Sequence, residues 1–384
     1  MTDWTGFSLL EKLVGFPSVV GRSNLHLMDF VASYLADLGV PCHRLTGPEG
    51  DRQNLFATIG DPAVPGYILS GHVDVVPADE PEWLGDPFVL RCEGARLIGR
   101  GACDMKGFDA AVLAAVPDLL AMDLAAPIHI ALSYDEEAGC KGVPHLIAAL
   151  PELCATPLGC IVGEPTGLHP VLAHKGKAAL HLTAKGIPGH SARPDLGQNA
   201  IHALLPVLTA TAEQAAALQK GPQDARFQPP YSTVQIGTID GGRALNIIPE
   251  HAQARIEARA IAGQDPRALL RPVLDSLGPD VQAEWLSTYP PLALAPGADL
   301  AQLAQQISGH PAAPAVSFGT EAGLFQQAGI PSVLCGPGDM ARAHKPEEYL
   351  LRDELEAARQ MVLRLGRSLS AGAGPVPQET LRSV

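Results

Sequence analysis

No run in this 384-residue chain approaches the roughly 18 apolar residues that a membrane-spanning helix requires. Basic residues are scarce beside acidic ones, 27 Lys and Arg against 41 Asp and Glu, for a net charge of -14. That balance leaves no basic excess to neutralise phosphates and excludes nucleic acid as a partner. It is compatible with a cationic small substrate, although overall charge mostly governs solubility. The seven cysteines are odd in number and form no C-x-x-C pair, which argues against a disulfide framework. The start of the chain lacks the basic stretch and apolar run of a secretory leader. The expectation is a reduced, cytoplasmic protein with neither a membrane nor a nucleic acid as partner. Internal repeats and low-complexity tracts are also missing.

What remains is a packed globular composition, 46% hydrophobic and 18% charged. The length exceeds a usual single core, so one large domain and one smaller one are expected. Periodicity predicts helices over 6–15 and 24–38, strands over 54–59 and 66–71, and a helix over 107–122. A strand over 127–133, a helix over 141–150 and a strand over 158–162 come next. Strand, polar residue at its C-terminal end, then helix is the α/β arrangement that gathers sites at strand ends.

Near Lys177 the pattern changes. A strand over 178–186, a helix over 197–219, strands over 231–239 and 251–261, a helix over 265–277 and a strand over 280–287 give the order βαββαβ of a ferredoxin-like unit. The α/β pattern then resumes with helices over 298–308 and 321–329, a strand over 331–335 and a last helix over 351–369. Candidate site residues lie on both sides of the ferredoxin-like unit, so that unit reads as an insertion. The expected domains are a catalytic domain of 1–176 and 289–370, an inserted domain of 177–288, and a frayed tail of 371–384.

Five segments carry metal-ligand chemistry. His72 and Asp74 stand two apart at a strand end, where their side chains share a face. A metal-bound imidazole commonly donates its free N–H to a carboxylate, and Asp74 is placed for that role. Asp104 follows the Gly-rich turn Gly99-Arg100-Gly101 and precedes a helix; it reads either as an N-cap or as a carboxylate bridging two metals. Cys103 beside it offers a thiol alternative, set against the N/O character of the other donors. In Asp135-Glu136-Glu137, one glutamate can hold a metal while its neighbour moves a proton. Glu164 precedes a proline at a strand end, and His344 follows a Gly-Pro-Gly loop. Each alone reads as an exposed polar residue, whereas jointly they point to a two-metal hydrolase site.

These segments, together with Gly189-His190-Ser191-Ala192-Arg193-Pro194 and His344-Lys345-Pro346-Glu347-Glu348-Tyr349, occur in an order that resembles the dinuclear-zinc amidohydrolases and exopeptidases. The resemblance spans essentially the whole chain before the tail. It implies a three-layer α/β/α catalytic domain with a mixed sheet, interrupted by a ferredoxin-like dimerisation domain. It implies two divalent metal ions, zinc first, with cobalt and manganese also suited to N/O donors. Asp104 would bridge them, His72 and Glu164 would complete one site, and Glu137 and His344 the other. Glu136 would be the general base and Asp74 the partner of His72. His190 would reach the active site of the partner subunit in a homodimer and stabilise the oxyanion. Asn246 and Arg259 would contact the substrate α-carboxylate, with Arg255 a nearby competitor for that register.

Gly319-Thr320-Glu321-Ala322 and Cys335-Gly336-Pro337-Gly338-Asp339 most resemble the acetylornithine deacetylase branch of that family. This implies hydrolysis of N2-acetyl-L-ornithine to ornithine and acetate, a step of arginine biosynthesis. Thr320 and Glu321 are then candidate substrate-binding residues. Glu321 reads either as a partner for the substrate cation or as an acidic residue in a helix first turn. Lys345 and Glu347 depart from the branch pattern and are expected to be exposed. The alternatives are a succinyl-diaminopimelate desuccinylase, another N-acyl-amino-acid hydrolase or carboxypeptidase, or a non-enzymatic binding protein on the same fold. Loss of Glu136 or a ligand would mark that last alternative, and none is lost.

Overall fold

The structure, a computed structural model, describes residues 4–313 and 315–371. The expected tail therefore lies, beyond Ala371, outside the described residues. The chain divides into two compact units. The larger takes residues 4–172, Leu294–Ala313 and 320–371, and the smaller takes Ala173–Ala293 with residues 315–319.

A six-stranded mixed sheet forms the larger unit, in the order Cys42–Thr46, Gln53–Ile59, Ile128–Ser133, Tyr67–His72, Gly159–Pro165, Ser332–Gly336. The last four run parallel, and Gln53–Ile59 pairs antiparallel with its neighbours on both sides. Ile128–Ser133 is buried at every position, as expected of a strand covered on both faces. Neighbouring residues at the end of Tyr67–His72 show the two coverings. Gly71 faces Asp109 of the helix Lys106–Leu120, while the Ser70 hydroxyl bonds Glu321 at the start of the helix Ala322–Gln327. Helices therefore lie on both sheet faces, in three layers. One apolar core joins helices Gly6–Val14, Leu25–Asp37, Lys106–Leu120, Asp299–Ser308 and Arg352–Ser368 to the sheet.

The smaller unit has a four-stranded antiparallel sheet in the order Thr233–Gly241, His251–Ala260, Gly176–Lys185, Val281–Tyr289. With helix Ala200–Leu218 after the first strand and short helices after the third, this is the ferredoxin-like order. Its ends lie slightly outside 177–288, because Ala173–His174 pairs with Leu292–Ala293.

Two elements differ from expectation. The helix expected over 265–277 is split into Pro266–Leu269 and Arg271–Asp275. Pro272 has no N–H to continue the ladder, and proline is tolerated only in a first turn, so a new helix starts there. A three-stranded sheet of Arg91–Glu93, Arg96–Ile98 and Tyr349–Leu351 is additional. It ties the turn carrying Asp104 to the segment carrying His344. Among the described residues, no helix is long and apolar enough to cross a membrane.

Candidate metal centre

Four parallel strands end at one edge of the sheet, and their ends and the loops beyond them build the site. Ile128–Ser133 runs into Asp135-Glu136-Glu137, Tyr67–His72 ends on His72, and Gly159–Pro165 carries Glu164. The loop after Ser332–Gly336 brings in His344, and the turn before Lys106–Leu120 supplies Asp104.

Asp104 sits between the two histidines. Its Oδ1 is 3.1 Å from His72 Nε2, and its Oδ2 is 3.3 Å from His344 Nε2. His344 Nε2 is also 2.8 Å from Glu137 Oε1. Ligand atoms of His72, Asp104 and Glu137 lie within 4.8 Å of one another, as do those of His72, Glu136 and Glu164. The His344 side chain is 46% exposed, so the cluster opens to solvent on that side.

His72 Nδ1 is 2.9 Å from the backbone carbonyl of Asp74. A carbonyl only accepts, so Nδ1 donates there, and Nε2 is the nitrogen that faces Asp104. The expected partner, the Asp74 carboxylate, is 3.6 Å away. That carboxylate instead accepts the backbone N–H groups of Glu136 and Glu137, each at 3.1 Å. Asp74 thus sets the imidazole with its main chain and the acidic turn with its side chain. Asp135 takes up strain in the same turn, with φ of 52°. Its carboxylate accepts from Gly21 N at 2.7 Å and from the Arg52 guanidinium.

Glu348 carries no expectation from the sequence, although it lies in one of the motifs. Buried, it accepts from the backbone N–H groups of Cys103 and Asp104 through Oε1. Its Oε2 accepts from Gly101 N and from Arg100 Nη1 at 2.9 Å. Arg100 also donates to the carbonyls of Lys345 and Pro77. This buried pair holds the turn of Asp104 against the turn of His344. Glu347, expected to be exposed, is half-buried and bonds Leu84 N and Arg91. Cys103 points its thiol at the Asp339 carbonyl, and burial pushes that thiol far up, which disfavours it as a ligand.

The electrostatics describe a crowd of buried carboxylates. Burial pushes Asp74 up to about 7 and Glu136 up to about 8, and the nearby Glu137 adds to both shifts. Burial, then Asp104 and Glu136, hold Glu164 well above its usual range. Bonds to Asp104 and Glu137 push His344 up to about 10. Burial lowers His72, yet Asp104, Asp74 and Glu136 outweigh it and hold the imidazole high. Positive charge is what this space favours. Imidazoles and carboxylates without a thiol fit a divalent cation of the zinc, cobalt or manganese type.

Two candidates for substrate binding are buried. Glu321 is 1% exposed, and both its oxygens accept serine hydroxyls, from Ser70 at 2.5 Å and Ser133 at 2.7 Å. A carboxylate so enclosed ties the sheet to a helix. Thr320 is equally buried and accepts from Ala322 N. Three candidates lie in the smaller unit. His190 is exposed, and its Nδ1 accepts from Ala192 N at 3.1 Å, which leaves Nε2–H free to donate. Ser191 N donates to the Asn246 carbonyl, so these two turns meet. Arg259 spends two nitrogens on Glu257 and one on the Tyr289 hydroxyl, while Arg255 is exposed on the same face.

Residues 68–368 match the model of peptidase family M20/M25/M40. The chain is 32% identical to acetylornithine deacetylase of Edwardsiella ictaluri, over 93% of this chain and 96% of that protein. It is 34% identical to acetylornithine deacetylase of Myxococcus xanthus, over 92% and 95%. In fold it is similar to the crystal structure of an M20 family metallo-carboxypeptidase from Sulfolobus solfataricus, at TM-score 0.77 and 20% identity, with 94% of this chain and 98% of that one covered. It is also similar to a dinuclear metal binding peptidase of the M20 family from Bacillus subtilis, at TM-score 0.62 and 15% identity, over 94% and 96%. The matched span and these relatives together place the chain in peptidase family M20/M25/M40, as a metal-dependent hydrolase of amide bonds.

Proposed function

We propose that the protein hydrolyses N2-acetyl-L-ornithine to L-ornithine and acetate with two divalent metal ions, zinc or cobalt. The observation carrying the metal assignment is Asp104, whose two oxygens face two different histidines. His72 and Glu164 would hold one ion, Glu137 and His344 the other, with Asp104 shared. Bound there, the ions would lower the pKa of a water and polarise the scissile carbonyl. Glu136 takes the proton of that water as the C–O bond forms, then delivers it to the leaving nitrogen as the C–N bond breaks. Glu136 also lies within ligand distance of His72 and Glu164. We assign it to the proton, and Glu137 to the metal, on the family resemblance of the Asp135-Glu136-Glu137 motif.

His190 is assigned as the oxyanion donor, through its free Nε2–H and from a partner subunit of a homodimer. Support for association comes from the edge strand Thr233–Gly241, which leaves Ile236 and Ile239 exposed for a second copy to cover. Asn246 and Arg259 are assigned to the substrate carboxylate, which would have to share Arg259 with Glu257. The substrate rests on the deacetylase relatives, and a cytoplasmic place on seven free cysteines.

The deciding experiment is a panel of N2-acetyl-L-ornithine, N-succinyl-diaminopimelate and several N-acyl amino acids, with zinc or cobalt added. Acetylornithine should give the highest kcat/KM. Preference for another member overturns the substrate, and inertness toward all of them overturns the proposed reaction. Glu136→Ala should abolish turnover while metal content stays near that of the parent; loss of both together means Glu136 is not the base.

A further inference from the structure

Cys140 is a residue the reaction above does not use, and two independent features single it out. Its φ is 57°, in the left-handed region that glycine adopts freely and a residue with a β-carbon does not. The turn around it is fixed by the main chain. Gly139 N and Cys140 N both donate to the Glu136 carbonyl at 2.8 Å, and Lys141 N donates to Asp135 O at 3.0 Å. Glycine would sit at position 140 with less strain, yet the position holds a side chain.

That side chain is 2% exposed, and its Sγ lies 3.2 Å from Glu136 Oε1. Burial, then the neighbouring Glu136 and Glu321, keep the thiol protonated. The protonated thiol is the donor, and Oε1 of Glu136 accepts from it. Among the described residues, no other hydrogen bond reaches the Glu136 carboxylate. Asp74 holds the main chain of Glu136, and Cys140 alone holds its side chain.

We propose that Cys140 is a positioning residue whose thiol holds Oε1 of Glu136, so that Oε2 is the oxygen that takes and returns the proton. This rests on the reading of Glu136 as the base. A carboxylate pinned through one oxygen has fewer orientations to lose on the way to the transition state, an effect that falls on kcat.

The test uses Cys140→Ala, Cys140→Gly and Cys140→Ser in the metal-loaded protein. Alanine and glycine should lower kcat about tenfold, the worth of one orienting hydrogen bond. KM should stay within about twofold and metal content should match the parent. Serine, which keeps a donor, should restore most of kcat. Glycine should also raise the melting temperature above that of the alanine variant, by relaxing the left-handed backbone. A Cys140 that only packs predicts parental kcat in both alanine and glycine variants, and that result overturns the proposal, as does a serine variant no better than alanine. An activity-independent readout is the Raman S–H band that disappears in Cys140→Ser. It should shift to higher frequency in Glu136→Ala as the acceptor is lost. A band that does not move overturns the proposal even if the parent is inactive on every substrate, an outcome that would separately overturn the proposed function.

Discussion

His129 is the second residue of the strand Ile128–Ser133, fully buried and stacked on Phe56. Its Nδ1 is 3.0 Å from the Thr58 hydroxyl, and burial lowers it to about 4. An unfolded histidine titrates near about 6.5. As pH falls from there to about 4, the unfolded chain takes up a proton that the folded chain refuses. Stability is therefore lost in that window at about 1.4 kcal/mol per pH unit from this group, and none of that slope remains above it. Urea unfolding of His129→Phe and parent between pH 7 and 4.5 should show the variant flatter by about that slope; equal slopes would mean that the imidazole is not held neutral. The site residues show which roles a sequence can carry. That His72, Asp104, Glu137, Glu164 and His344 come together was legible because acids and imidazoles in such motifs have few other reasons to cluster, while their roles are a proposal. Glu348 and Arg100 were not, since their role lies in a buried bond between residues 248 apart. Nor was the enclosure of Glu321, which depends on serines from two other strands.

The elements were legible where burial imposed a period and obscure where it did not. Ile128–Ser133, Gly159–Pro165 and the strands of the smaller unit stood out as apolar or alternating runs. Cys42–Thr46 did not, because an edge strand half open to water carries polar residues at most positions. The strands Arg91–Glu93, Arg96–Ile98 and Tyr349–Leu351 are each too short to display a period. What the site needs from its elements is close spacing between parallel strands. A β-carbon on Gly336 would lie 1.9 Å from the Gly163 carbonyl oxygen and 2.7 Å from that of Glu164. Those atoms are backbone in the neighbouring strand and cannot rotate away. Gly336→Ala should lose roughly 1–3 kcal/mol of stability and lower metal content by shifting Glu164. Gly297→Ala, which faces open space, should do neither. Thermal unfolding and bound-metal analysis of the two variants decide the matter; an unaltered Gly336→Ala would show that the strand spacing can relax without moving the donor.

Across the whole molecule, the assigned groups fall in both units: every metal donor and Glu136 in the larger, His190, Asn246 and Arg259 in the smaller. The order of the ferredoxin-like strands was readable from periodicity, whereas a homodimer was expected only through the family resemblance, since an edge strand exposed at Ile236 and Ile239 carries no sequence pattern of its own. If His190 serves the partner subunit, Glu136 and His190 of one active site come from different chains. Glu136→Ala and His190→Ala proteins, each inactive or nearly so alone, should then recover activity when mixed and allowed to exchange subunits. In the mixed dimer one site has lost both groups, and the other has an intact Glu136 from one chain and an intact His190 from the other. Half of the sites in such dimers should turn over at the parental rate. If His190 serves its own chain, each site of the mixed dimer lacks one of the two groups and mixing restores nothing. Subunit exchange followed by sedimentation must accompany the assay. Exchange without recovery would remove His190 from the partner's site, and a monomer by sedimentation would remove the dimer itself.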